Sequence, residues 1–166
     1  LEWGAFLTAV WAWAVMPSAF VPLTVLLGWC VLLVAAIDMR TRRIPDGLTA
    51  LIAVAGLSWL AWDRPDLLSI HLATAVLTGL LLWVVALLFE RGRGVAGLGF
   101  GDIKLMSVAA IWLGPLKMPH MILIASISGL IWIGLNRWRG REAGTASEPL
   151  AFGPFIAMGL WLSWLY

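Results

Sequence analysis

Long apolar runs, interrupted only by short charged or glycine- and proline-containing segments, are the feature that most restricts the fold of this chain. A helix needs about 20 predominantly apolar residues to cross the hydrocarbon core of a bilayer. Apolar residues make up 62% of the 166 residues and charged residues only 12%, whereas a soluble domain carries about 25% charged residues. Most of the surface of the folded chain must therefore face lipid rather than water.

Seven of these apolar runs are candidates for membrane helices. They are apolar around most of their circumference, as helices in lipid are, and the alternating pattern of barrel strands does not occur. We therefore predict an all-α, polytopic transmembrane bundle of six to seven helices, in a single membrane-embedded domain that covers residues 1–166. The runs lie at residues 3–17, 21–38, 48–62, 69–90, 102–115, 119–136 and 150–166.

The positions of the basic residues predict which loops lie on the same side of the membrane. Nine of the eleven lie in or beside the loops that follow the second, fourth and sixth runs, and only Arg64 and Lys117 lie in the others. Because cytoplasmic loops carry the excess of Lys and Arg, these three loops are predicted to be cytoplasmic and the C-terminus external. The N-terminus is then cytoplasmic if the first run spans the membrane. The nine residues are Arg40, Arg42, Arg43, Arg91, Arg93, Lys104, Arg137, Arg139 and Arg141.

The sequence contains few residues that could bind a metal ion, form a disulfide or make up a charged binding surface. Cys30 is the only cysteine, so an internal disulfide and a thiolate zinc cluster are excluded, and Cys30 itself is expected to be a buried apolar residue. His71 and His120 are the only histidines, and both are predicted to lie at helix ends near the outer face. We therefore predict no metal site and no cofactor. The net charge of +2 is too small to indicate nucleic acid, and membrane lipid is the expected partner of the surface. The stretch from Arg137 to Pro149 is polar and is expected to be mobile.

Two acidic residues, Asp38 and Asp102, lie at the predicted cytoplasmic boundary of the membrane. Asp38 closes the apolar run VLLVAAID, and Asp102 follows the glycine-rich segment GLGFG and opens the run IKLMSVAAIWLG. Ionisable residues at membrane depth are energetically costly and indicate function by default. Either aspartate alone is equally well explained as an interfacial residue paired with a neighbouring Arg or Lys. Two on the same face, one of them in a glycine-rich turn, favour a functional pair.

Paired carboxylates are suited to hydrolysis because two of them held close together share a proton. One then acts as general base and the other as general acid on a water molecule, which cleaves a peptide bond without a metal or a covalent intermediate. Gly99 and Gly101 are predicted to let the backbone turn sharply and approach a substrate closely. A proton-coupled transporter or channel subunit that uses the same two aspartates fits the composition and topology equally well. It would, however, place acidic residues near the middle of the membrane.

Three segments carry a family resemblance when they are taken in order along the chain. The first is AIDMRTRRIPDGLT, in which Asp38 is followed by Arg43, Ile44 and Pro45. The second is GLGFGDIKLMSVAAIWLG, which contains Gly99-Phe100-Gly101-Asp102, and the third is PLAFGPFIAMG, which contains Phe152-Gly153-Pro154-Phe155. Together they resemble the motifs of the type IV prepilin peptidases, which are membrane aspartic peptidases of the GxGD type.

This resemblance implies that Asp38 and Asp102 are the catalytic pair. It implies as substrate the N-terminal leader of a prepilin or pseudopilin, cut just before its hydrophobic helix, at the cytoplasmic face of the bacterial inner membrane. The resemblance also implies that five other motif residues position the catalytic pair or the substrate. They are Gly99, Gly101, Lys104, Arg43 and Pro45.

The sequence departs from the family pattern in two respects. Larger members of the family look bifunctional, with a cysteine-bearing domain that methylates the new N-terminus of the cleaved pilin. This sequence has no CxxC pair. We therefore expect peptidase activity without methyltransferase activity. Asp46 stands where many relatives carry Asn, and a cap on the helix that begins near Leu48 fits either residue. Lys104 is expected to bind a lipid phosphate or a substrate acid, or only to extend to the interface. An inactive assembly factor with this fold stays an alternative, and a presenilin-like peptidase that cuts within a helix fits the boundary position less well.

Overall fold

The computed structural model describes residues 1–94, 98–140 and 150–166, with Arg93 described by its backbone alone. Within these ranges the chain forms six α-helices and one 3-10 turn and contains no β-strand, so the predicted all-α fold is confirmed. The expected mobility of the polar stretch before Pro149 concerns residues that lie mostly outside these ranges. In chain order the elements are α1 (Glu2–Val15), α2 (Val21–Thr41), α3 (Asp46–Asp63), the 3-10 turn Pro65–Leu67, α4 (Leu68–Arg93), α5 (Phe100–Trp138) and α6 (Gly153–Leu165).

The helix ends follow from the local sequence. Pro22 stands in the first turn of α2, where the missing backbone N–H costs nothing. The same helix ends at Arg42, which adopts the left-handed conformation with φ 53°. Pro45, with φ −66°, stands immediately before α3, and Gly94 ends α4 with φ 69°. Glycine favours this last conformation because it has no Cβ to clash with the backbone.

Helix α5 contains an internal break that divides it into two arms. Its 39 residues would form a straight helix about 58 Å long, nearly twice the thickness of a hydrocarbon core of about 30 Å. Gly114 interrupts the helix with φ 62° and ψ −173°, a conformation that L side chains avoid. Pro115 and Pro119 follow, and each removes a helical hydrogen bond. We call residues 100–113 the first arm and residues 115–138 the second arm; they correspond to the fifth and sixth predicted runs.

The first arm of α5 packs antiparallel to α4. A Cβ added to Gly79, in the middle of α4, would lie 2.6 Å from Ser107 Oγ on the first arm. A Cβ added to Gly114, at the end of the arm, would lie 2.5 Å from the Nε2 of His71, near the start of α4. The two helices therefore run in opposite directions at very close approach.

The second arm of α5 packs antiparallel to α6. A Cβ on Gly159 would lie 2.7 Å from the carbonyl oxygen of Met121, and a Cβ on Gly129 would lie 3.2 Å from the Phe152 ring. Asp102, at the start of the first arm, also lies near the start of α6. The chain therefore folds back at the break, and both ends of α5 lie at one end of the bundle, which we call the Asp102 end.

Three tryptophans hold the opposite end of the bundle together. The rings of Trp59 and Trp112 stack with centroids 6.2 Å apart, and Trp164 meets Trp59 edge-on at 4.9 Å. Aromatic pairs of this kind contribute about 0.5–1.5 kcal/mol each beyond the area that they bury. Trp112 Nε1 donates to the Ile52 carbonyl at 3.0 Å, and Trp164 Nε1 donates to Thr24 Oγ1 at 3.1 Å. Helices α2, α3, α5 and α6 are thereby joined at this end.

In the part of the chain that the structure describes, three helical stretches are long and apolar enough to cross a membrane, namely Val21–Thr41, Pro65–Gly92 and Phe100–Trp138. Large apolar side chains also cover the outside of the bundle, such as Leu77 and Leu81 of α4, each 65% exposed. Soluble proteins rarely expose contiguous apolar surface on this scale. The chain is therefore a polytopic membrane helix bundle, as predicted, whereas the number of times that it crosses the membrane stays a prediction.

The packing of α6 on the second arm of α5 is tested by replacing one glycine. Gly159→Ala is expected to destabilise the fold, because its Cβ would lie 2.7 Å from a backbone oxygen and overpacking of this kind costs about 1–3 kcal/mol. Gly134→Ala on the second arm is the matched control, since a Cβ there meets no atom within 4 Å. Thermal unfolding in detergent is expected to show a lower midpoint for Gly159→Ala and an unchanged or higher one for Gly134→Ala. Equal midpoints would contradict the close contact.

Candidate active site

Asp38 lies in the last turn of α2 and is only 4% exposed. Its Oδ2 accepts a hydrogen bond of 2.9 Å from the backbone N–H of Gly153, the first residue of α6. The first N–H groups of a helix have no partner within the helix and favour a nearby carboxylate. The prediction that Asp38 ends its helix needs a small correction, because α2 continues to Thr41.

Gly153 belongs to the site, although the sequence predicted no role for it beyond its place in the third motif, Phe152-Gly153-Pro154-Phe155. A Cβ at this position would lie 2.7 Å from Oδ2 and 2.9 Å from Cγ of Asp38. Any larger residue would therefore displace the Asp38 carboxyl group or the start of α6. The glycine stands directly before Pro154 at the start of an apolar helix, and this pair was the signal available in the sequence.

Asp102 lies in the first turn of α5 and is half-buried. The backbone N–H of Gly99, which stands immediately before the helix, donates to its carboxyl group. A Cβ on Gly99 would lie 3.1 Å from the Oδ2 of Asp102. The carboxyl group therefore folds back over the start of its own helix, against a residue that has no side chain.

The role predicted for Gly99 and Gly101 in a sharp turn stays a prediction, and neither glycine uses the positive φ that only glycine adopts easily. Gly99 has φ −69°, which every residue adopts, and Gly101 is part of the α5 helix with no positive φ. What these positions do show is close approach. A Cβ on Gly101 would lie 3.3 Å from Cβ of Ile44, in the segment between α2 and α3. The glycines thus allow the segment after Asp38 to pack directly on the start of α5.

The structure brings Asp38 and Asp102 together at the same end of the bundle, close enough for the charge of one to act on the other. They come from the end of α2 and the start of α5, and each accepts a hydrogen bond from a glycine N–H. Two carboxyl groups whose charges repel each other do not both ionise easily, which favours one as a base and the other as an acid. The arrangement suits acid–base chemistry on a water molecule.

The segment that joins α2 to α3 carries two further residues predicted to belong to the site. Arg43 is exposed, and Pro45 fixes the start of α3. Neither makes a contact with Asp38 or Asp102 among the described hydrogen bonds and ion pairs. Ile44, between them, provides the packing against Gly101. The positioning roles of Arg43 and Pro45 stay predictions.

Lys104 forms an ion pair with Asp46, a partner that the sequence did not indicate. Its Nζ also lies 5.1 Å from the centroid of the Phe100 ring, within the range of a cation–π contact. The capping role predicted for Asp46 is wrong, because α3 begins at Asp46 itself, with Pro45 in the cap position and no side-chain hydrogen bond to the cap. The ion pair instead ties the start of α3 to α5, two residues beyond Asp102.

Among the described residues no three side chains of His, Cys, Asp or Glu are grouped to hold a metal ion. His71 lies near the start of α4, as predicted, but it is buried, and its Nδ1 lies 2.7 Å from the Ile111 carbonyl oxygen. His120 is exposed on the second arm of α5. Cys30 is buried in the apolar core, as predicted.

The hydrogen bond between Asp38 and Gly153 predicts a difference between two substitutions of the same residue. Asp38→Leu is expected to lower the free energy of unfolding by about 1–3 kcal/mol, because it leaves a buried N–H without an acceptor. Asp38→Asn retains an acceptor oxygen and is expected to cost less. Asp63→Leu, at the exposed end of α3, is the matched control with little effect. Chemical unfolding in detergent measures all three, and equal losses for the two Asp38 variants would contradict the role of the bond.

Comparison with known proteins identifies the family of this chain. Residues 25–134, about two thirds of the chain, match the type IV leader peptidase family. This range includes both aspartates of the pair. No solved structure matches the chain significantly.

Several curated relatives carry the name prepilin leader peptidase/N-methyltransferase. One from Burkholderia pseudomallei (strain 1026b) is 40% identical over 134 residues, which are 80% of this chain and 43% of the relative. One from Pectobacterium carotovorum subsp. carotovorum is 32% identical over 155 residues, 93% of this chain and 54% of the relative. One from Aeromonas salmonicida (strain A449) is 30% identical over 163 residues, which are 98% of this chain and 55% of the relative. The chain spans about half the length of these relatives, and the family expected from its three motifs is confirmed: it belongs to the type IV leader peptidase family.

Proposed function

We propose that this chain is an aspartic endopeptidase that removes the leader peptide from type IV prepilins or pseudopilins, with Asp38 and Asp102 as its catalytic residues. The observation that carries the proposal is that these two carboxyl groups lie at one end of a membrane helix bundle of this family, close enough for their charges to interact. Relatives named for prepilin leader cleavage support the choice of substrate. Residues 1–166 act in this proposal as a single peptidase domain. The absence of methyltransferase activity stays a prediction.

In the proposed reaction the pair activates a water molecule. The ionised carboxylate takes a proton from water as the oxygen attacks the scissile carbonyl carbon, and the protonated partner donates its proton to the carbonyl oxygen. When the tetrahedral intermediate collapses, the C–N bond breaks and the leaving nitrogen takes up the proton that the base now holds. One hydroxyl group of the intermediate returns its proton to the other carboxylate, which restores the pair. The products are a carboxyl group on the leader and a free amine on the mature protein. Water is the sole co-reactant.

The charge around the site supports a cytoplasmic position at the bacterial inner membrane. Arg40, Arg42 and Arg43 follow Asp38 directly and are exposed at the Asp102 end. Excess Arg and Lys mark the cytoplasmic side of membrane proteins. A prepilin would keep its short leader on this side while its apolar helix lies in the bilayer, so the bond to be cut would stand at the depth of the two aspartates.

The remaining motif residues support the pair indirectly in this proposal. Gly99 and Gly101 allow close packing around Asp102, and Pro45 sets the start of α3. Lys104 joins α5 to α3 through Asp46. The alternative of a proton-coupled transporter finds no support in the family to which the chain belongs.

The experiment that tests the proposal compares aspartate variants. Purified chain is mixed with a prepilin in detergent, and leader release is followed by mass spectrometry. Asp38→Asn and Asp102→Asn are each expected to slow cleavage at least about 100-fold, because each removes a general acid or base. Asp63→Asn, at the other end of the bundle, is expected to cut at the normal rate. Normal cleavage by either variant of the pair would refute the proposed catalytic roles.

The ion pair between Lys104 and Asp46 predicts rescue by charge exchange. Lys104→Asp and Asp46→Lys alone place like charges opposite each other and are expected to lower kcat about 10-fold, since small displacements of catalytic groups are costly. The double variant, Lys104→Asp with Asp46→Lys, is expected to recover most of the rate. Thermal midpoints control for folding, because an exposed pair is worth about 1 kcal/mol or less. A double variant no faster than the slower single one would show that Lys104 acts on substrate or lipid directly.

A further inference from the structure

A groove of about 770 Å³ opens beside the candidate active site, between α3 and α4. Ala50 of α3 lines one wall, Leu80 and Trp83 of α4 line the other, and Ser107 of α5 lies at the floor. Leu80 and Trp83 are 54% and 50% exposed. The groove is therefore open sideways, towards the surroundings of the bundle, and its lining is mostly apolar or small.

One end of this groove lies at the first turn of α5, which carries Asp102, although neither aspartate lines the groove itself. Phe100 and Ile103, which flank Asp102 along α5, both line it. The α3 wall extends from Asp46 at this end to Ala53, a rise of about 10 Å or two helical turns. A segment lying in the groove would thus have one end beside the turn that carries Asp102 and the other deeper in the apolar part of the bundle.

We propose that this groove holds the first turns of the substrate's apolar helix, directly after the bond that is cut. The inference rests on the proposed function and names the subsite that it requires. A helix lying along the groove with its N-terminal end near Asp46 places the preceding residues at the start of α5, over which they reach the Asp102 carboxyl group beside Gly99. The same orientation leaves the leader outside the Asp102 end, where Arg40 and Arg43 are exposed.

The lining of the groove fits a helix that is already in the bilayer. Gly79, Ala50 and Ser107 are small, and small residues let two helix backbones approach closely where lipid offers no hydrophobic gain from association. Because the groove is open sideways, an apolar helix enters it from lipid without passing through water. Its apolar side chains then replace lipid tails against Leu80 and Trp83.

The ion pair at the mouth of the groove favours a peptide helix over a lipid molecule. Lys104 is the basic residue that lines the groove, and Asp46 beside it already neutralises its charge. A lipid phosphate at this point would meet a carboxylate as well as an ammonium group, so the two interactions largely cancel. An uncharged stretch of helix meets no such opposition.

Disulfide crosslinking tests where the substrate helix lies. Cys30 is the only cysteine and is 4% exposed, so Ala50→Cys adds a single accessible thiol. It is combined with Asp102→Asn, so that substrate stays uncut, and mixed under mild oxidation with a prepilin that carries one cysteine in the first two turns of its helix. Ala61→Cys is the matched control, because Ala61 is exposed on α3 and lies about three turns further on nearly the same side of the helix. Maleimide labelling checks that both thiols react.

The expected result is a disulfide adduct with Ala50→Cys and at least about 10-fold less with Ala61→Cys, which corresponds to about 1.4 kcal/mol of preference. Two results would refute the binding of the substrate helix in the groove: no adduct at position 50, or equal adducts at both positions. If the unmodified chain still cuts the same prepilin, the proposed function is unaffected. Failure of the unmodified chain to cut any prepilin would overturn the proposed function and the occupant of the groove with it.

A second variant tests the same inference through kinetics. Ala50→Trp fills the groove and is expected to raise KM for a complete prepilin at least about 10-fold, with Ala61→Trp unchanged. A peptide that ends shortly after the cleaved bond lacks the helix, so its kcat/KM is expected to be the same for all three chains. If Ala50→Trp instead loses co-purified lipid and its KM does not change, the groove binds lipid rather than the substrate helix, and the inference is wrong.

Discussion

The hydrogen bond between the Gly153 N–H and the Asp38 carboxylate, 2.9 Å long, is the contact on which the arrangement of the site depends. It fixes a buried acid against the start of α6, so that the protein, rather than hydrocarbon, surrounds the charge. Helix α6 packs in turn on the second arm of α5, and α5 folds back to present Asp102 at the same end. A single backbone donor thereby links the positions of both aspartates.

Close contacts at glycine build the rest of this bundle. Gly28 of α2 would place a Cβ 2.8 Å from the Trp161 ring, and Gly56 of α3 would place one 2.6 Å from Trp112. Helices in lipid gain little from burying apolar surface and associate through tight packing instead. The glycines around Asp102 follow the same rule, since they allow chain segments to touch. The candidate site is thus a local instance of how the whole membrane bundle is held together.

The sequence predicted those features that depend on short segments. Apolar runs gave the helices, and the distribution of Arg and Lys placed Asp38 and Asp102 on one side, as the structure also has them. The pairing of Lys104 with Asp46 was missed, because helices that are apolar on all sides do not encode which faces meet. The break at Gly114 had a signal in the Gly-Pro pair, although the fold-back itself depends on packing against α4 and α6.

The central claim is that Asp38 and Asp102 act as one catalytic unit, and the double variant Asp38→Asn with Asp102→Asn tests it most directly. Residual prepilin cleavage is followed over long incubations by mass spectrometry for the two single variants and the double variant. Groups that act as a unit have grossly non-additive effects. We predict that the double variant is no slower than the slower single variant. Rate losses that multiply would show that the two aspartates contribute independently and would contradict the account.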